Sequence, residues 1–141
     1  MVDADGAAVG AAFQINADST DANGGGETAQ LGVGLVAVFD HGVVTTNDKQ
    51  VSQLRARMID AAGQPTGAGI LVAKAGAGMV SMDPSVHSLA TGGFIVVWEE
   101  ESADPASYPP PAGFAIDWAA RYATVSAAGV VLSTGTLASG A

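Results

Sequence analysis

Gly92-Gly93-Phe94-Ile95-Val96-Val97-Trp98 re-reads the earlier Val33-Gly34-Leu35-Val36-Ala37-Val38-Phe39 position by position: glycine, then four apolar residues, then a large aromatic. Each run is short, glycine-bounded and apolar on both faces, which reads as a central strand covered on both sides rather than as a helix. The match extends outward. Gly6, Gly10, Phe13 and Ile15 are followed at the same spacing by Gly63, Gly67, Ile70 and Val72. Leu54-Arg55-Ala56-Arg57-Met58 maps onto Trp118-Ala119-Ala120-Arg121-Tyr122, and Gly63 finds a third counterpart in Gly129. The offsets drift from 57 to 66 residues, as when loops rather than strands absorb the length changes. Two copies, with approximate units 3–67 and 68–135, fill a single module spanning 1–141.

Each unit reads as four short strands. Ala12 to Asn16 opens the first and Ile70 to Ala73 the second. Glu27 to Leu31 and Ser85 to Leu89 come next, then the two quoted runs, then the strands around Leu54–Met58 and Phe114–Tyr122. On the last strand Trp118, Ala120 and Tyr122 share one face, which Leu54, Ala56 and Met58 repeat as a buried face. The 19 glycines, six prolines and low aromatic content agree with many strands joined by tight turns. The expected fold is therefore all-β, as two tandem four-stranded antiparallel repeats on the plan of a β-propeller blade. Two blades cannot close a ring, which leaves three arrangements: identical chains complete it by oligomerisation, a six-bladed homotrimer being the neatest closure, or the chain is cut from a longer array, or the blades stack openly as in a sandwich.

The order Asp60-Ala61-Ala62-Gly63-Gln64-Pro65-Thr66-Gly67, then Pro84 to Leu89, then Gly92 to Trp98, resembles the tandem repeats of large secreted bacterial adhesin-like, calcium-binding surface proteins. That resemblance covers almost the whole chain and implies an extracellular or cell-surface setting within a larger assembly. It implies a structural or adhesive role without catalysis. Two alternatives stay open, a carbohydrate-binding propeller-type lectin assembled as an oligomer and a virion or filament coat or decoration protein.

Composition narrows the partners. The formal charge is −9, from 14 acidic and five basic residues, which repels phosphate backbones and anionic lipid surfaces. Nucleic acid is not expected, and no run of about 20 apolar residues is present to insert into a membrane. Met1 to Asp5 lacks the basic start and apolar run of a signal peptide. Without cysteine, stabilisation falls to packing, strand pairing, contact with neighbouring repeats or copies, or an oxygen-ligated cation.

Chemistry is sought in the loops. Asn16, Asp18, Asp21, Asn23 and Glu27 supply the oxygen ligands that calcium wants, although the spacing fits neither an EF-hand nor a calcium-binding β-roll. A solvated, turn-rich loop is the competing reading. The connection from Glu99-Glu100-Glu101 through Tyr108 and Pro109-Pro110-Pro111 offers an aromatic contact, or else a stiffened loop with a solvated acidic face. Trp98 and Trp118 are candidates, with Tyr108, for stacking on a surface glycan, against a competing role in the core. Arg57 and Arg121 hold matching places and are expected to pair with acids of a neighbouring blade or subunit. His41 and His87 lie in different copies, no Gly-x-Ser-x-Gly elbow occurs, and no catalytic residue is assigned.

Overall fold

A computed structural model of the chain describes residues 5, 15, 23–44, 50–76, 79–102 and 118–140. These form eight strands: β1 (Asn23–Leu31), β2 (Gly34–Val44), β3 (Gln50–Ile59), β4 (Pro65–Lys74), β5 (Met79–Ser88), β6 (Phe94–Ser102), β7 (Trp118–Val125) and β8 (Val131–Gly140). They pair as two antiparallel four-stranded meanders, β1-β2-β3-β4 and β5-β6-β7-β8, which is the expected all-β arrangement of two tandem blade-like repeats.

The duplicated glycine has a steric cause. A Cβ on Gly34 would run into the carbonyl of Ile59, and one on Gly93 into that of Val125, so both copies need the bare backbone where the second strand of the sheet begins beside the end of the third. The turn after β3 repeats after β7. Asp60 N–H donates to Gln64 O at 2.9 Å and Gly63 N–H to Asp60 O at 3.0 Å, while Ser126 and Gly129 make the same pair of bonds at 2.9 Å each. Gly63 and Gly129 take the positive φ (76° and 77°) that closes it.

Several boundaries differ from the sequence reading. Ile70 to Ala73, which the sequence repeat places at the opening of the second unit, pairs with β3 and closes the first sheet, so the sheets divide after Lys74. The short Asp60 turn makes β4 the antiparallel neighbour of β3, and a meander has no other slot for it. Of the counterpart strand Ala12 to Asn16, only Ile15 lies among the described residues. Pro84 falls inside β5, at an irregularity between Met82 and Ser85 where Asp83 takes a φ of 50°. That edge position tolerates a residue with no N–H to give to a ladder.

The sheets pack face to face, with β1 nearest β5. One contiguous core joins Val36, Val38, Leu54, Ala56 and Val72 of the first sheet to Val86, Phe94, Val96, Trp98, Ala123 and Val125 of the second. The registers show that these are unlike faces. Val36 pairs with Met58 and Val38 with Ala56. Their repeat counterparts, Ile95 with Thr124 and Val97 with Tyr122, lie together on the opposite, outer face of the second sheet, joined there by Ala120, the counterpart of Leu54. The second sheet packs instead through Phe94, Val96 and Trp98, the counterparts of Leu35, Ala37 and Phe39. The two repeats are stacked head to tail.

Candidate functional site

Away from the β1–β5 contact the sheets leave open space between them. A cavity of about 460 Å³ is lined by Val72 and Lys74 of β4, Trp98 and Glu100 of β6, Arg121 of β7 and Thr134 of β8. Alternation along β6 and β7 turns Glu100 and Arg121 inward together, because Trp98 pairs with Arg121 and Glu100 with Ala119. Arg121 Nε donates to Glu100 Oε2 at 2.9 Å, and its Nη1 donates to Thr136 Oγ1 at 2.6 Å. The carboxylate is almost closed off from solvent, with 8% of the side chain exposed against 38% for its arginine. The cleft thus sets an internally paired Glu100–Arg121–Thr136 group beside Val72 and Trp98. Among the described residues that line it, no nucleophile is paired with a base.

This cleft brings together residues that the sequence reading kept apart. Glu100 is not part of a solvated loop, since β6 runs on to Ser102 and only then does the connection begin. Arg121 is held within its own sheet, by Glu100 and Thr136, rather than by a neighbouring blade or subunit. The match of Arg121 with Arg57 does not hold in the registers, because Arg55, across from Phe39, takes the place that Arg121 takes across from Trp98, the alignment between β3 and β7 running two residues further than the sequence reading placed it. Arg57 stands on the outer face of the first sheet, across from Ala37, and its Nε is buried with no hydrogen-bond partner among the described residues.

The two tryptophans cannot share one platform. Trp98 is 4% exposed and belongs to the inter-sheet core. Trp118 pairs with Glu101, faces outward and is 38% exposed. The face expected to be buried in β7 is thus the open one, because among the described residues no strand stands over the second sheet's outer face. Trp118 and Tyr122 lie across glycines of the edge strand β8. A Cβ on Gly140 would come within 2.7 Å of Trp118 Nε1, and one on Gly135 within 2.5 Å of Tyr122 Cε1. Edge glycines let the rings lie flat and show a face to solvent. Tyr108 lies outside the described residues.

Of the candidate calcium ligands, Asn16, Asp18 and Asp21 lie outside the described residues, and Asn23 is placed only as the first residue of β1. Glu27 faces the second sheet, where its Oε2 accepts a hydrogen bond from Val86 N–H at 3.3 Å. Among the described residues no group of three or more acidic, histidine or cysteine side chains could hold a metal ion. Ser85 Oγ and His87 Nε2 lie 3.3 Å apart on the outer face of β5, a contact that two residues at strand spacing make without further positioning.

No known family model matches this chain, and comparison with curated proteins and with solved structures yields no match.

Proposed function

We propose that the chain is a non-enzymatic structural and adhesive interaction module of a bacterial extracellular or surface repeat protein, its sheets serving as consecutive blades of a propeller-like stack. The head-to-tail packing of two like sheets carries this reading. Unlike faces meet inside the chain, so one further repeat can be added at either end by the same contact, as in repeat arrays whose stability is a sum over neighbours. The test is a covalent tandem of two copies. Each added junction buries another pair of faces, so the tandem is expected to unfold at higher urea than the single chain, with a steeper transition. Identical midpoints and slopes would contradict the reading.

A carbohydrate-binding role is the alternative that one observation favours, namely the half-open Trp118 beside Tyr122 on an outer face. Aromatic rings held flat on a rigid sheet bind the C–H faces of sugars. On a glycan array this alternative requires a signal that Trp118→Ala abolishes while the urea midpoint stays close to that of the parent chain.

A further inference from the structure

The outer face of the second sheet is the repeat counterpart of a face already seen buried. Ile95, Val97, Ala120 and Tyr122 stand where Val36, Val38, Leu54 and Ala56 stand in the first sheet, and there those positions pack against β5, β6 and β7. In the second sheet the same four are only half-buried, with Trp118 open at their margin. The converse holds on the other side of the molecule. Leu35, Ala37 and Phe39 of the first sheet are the counterparts of Phe94, Val96 and Trp98, the residues through which the second sheet docks. Leu35 and Phe39 remain half-exposed, and Ile15 stands beside Phe39 at a cavity of about 250 Å³. The molecule therefore carries one satisfied contact between its sheets and the two separated halves of a second.

Charge runs the same way. Glu99 and Glu101 project on the outer face of the second sheet, across from Ala120 and Trp118. Arg55 and Arg57, two of the five basic residues in the chain, project on the outer face of the first, across from Phe39 and Ala37. Opposite charge on the two faces favours their meeting, and like charge disfavours either face pairing with itself.

We infer that the outer face of the second sheet binds a second copy of this chain through the outer face of that copy's first sheet, reproducing between molecules the contact within one. The inference rests on the reading of the chain as a blade-like module and names that module's partner and surfaces. The contact is heterologous, so it closes into a ring if the rotation per chain divides a full turn and otherwise extends as a filament.

Complementation between blocked chains tests it. Val97→Lys blocks the face on the second sheet, and Phe39→Lys blocks the face on the first, each leaving the other face intact. Sedimentation velocity is expected to find the unmodified chain as a closed oligomer or a concentration-dependent ladder, and each variant alone as a monomer. An equimolar mixture of the two is expected to give a dimer that grows no further, since only one pair of competent faces remains. A parent chain that stays monomeric through millimolar concentration overturns the inference, as does a mixture with the mass of its separate components. Loss of association from Val97→Lys alone, with Phe39→Lys indistinguishable from the parent, would reveal a self-complementary contact and overturn it equally. If Phe39→Lys does not fold, Arg57→Glu blocks the same face from a half-exposed position. A covalent tandem that gains stability while free copies fail to meet would leave the module reading standing and remove only this inference.

Discussion

Leu54, Ala56 and Met58 in the first sheet and Trp118, Ala120 and Tyr122 in the second occupy the same strand of the same unit in the same phase, yet only the first set is covered. Leu54 and Ala56 have no exposure at all, whereas Trp118 keeps 38%. On the other face the outcome reverses. Phe94 is fully buried and its counterpart Leu35 is not. Strand pattern fixes which residues share a face; the neighbour on that face decides whether it becomes core. The larger rings of the second sheet, laid over Gly135 and Gly140, suit a face that must remain folded with solvent beside it.

Substitutions on counterpart faces put this contrast under strain. Phe94→Ala removes the largest fully buried side chain among the described residues and is expected to cost about 3–5 kcal/mol by urea unfolding, against roughly 1 kcal/mol for Leu35→Ala. Equal losses would break the head-to-tail account. Leu54→Ala is expected to cost about 2–5 kcal/mol and Trp118→Ala about 1–2 kcal/mol in the monomer, despite the larger side chain lost from Trp118. Thermal unfolding of the two variants side by side checks the order.

The glycines offer the opposite check, a place where the sheets should behave alike. Gly34→Ala and Gly93→Ala each drive a methyl group into the carbonyl of the neighbouring strand, for about 1–3 kcal/mol in either sheet. A clear difference between them would mean that the two copies are not built on one plan. The last pair is the arginines. Arg121→Ala leaves Glu100 nearly buried without its ion-pair partner and is expected to cost about 1–3 kcal/mol, while Arg57→Ala on the outer face should lie near 0.5 kcal/mol, or about the level of a surface change. Chemical denaturation at fixed ionic strength separates these, because the Glu100 site is shielded from solvent and responds weakly to salt.

Much of this was legible in the residues. The glycine ahead of each central strand, the repeated alternation of β3 and β7, and the Asp60 and Ser126 turns state the fold class and the duplication. The starting point of the unit was not, because a meander of identical units reads as a circle in sequence. Ile70 to Ala73 follow one turn and precede another, and only their pairing with β3 assigns them to the first sheet. Glu100 was hidden by its neighbours. A run of three glutamates looks solvated, but on a strand the middle one turns to the other side and meets an arginine 21 positions on. The direction of Trp118 was hidden for a different reason, since alternation gives two faces and does not say which of them has a neighbour.

The contact between Ile70 and the turn at Gly129 measures the stacking of the sheets most directly. The place a Cβ would occupy on Gly129 lies 3.0 Å from Ile70 Cδ1 and 3.7 Å from Met58 Sδ. Nuclear Overhauser spectra of methyl-labelled chain are expected to show strong cross-peaks from the Ile70 δ-methyl and the Met58 methyl to the Gly129 α-protons. Absence of those peaks, with cross-peaks from Met58 to the Tyr122 ring in their place, would mean that like faces meet in a two-fold sandwich and would contradict the head-to-tail account.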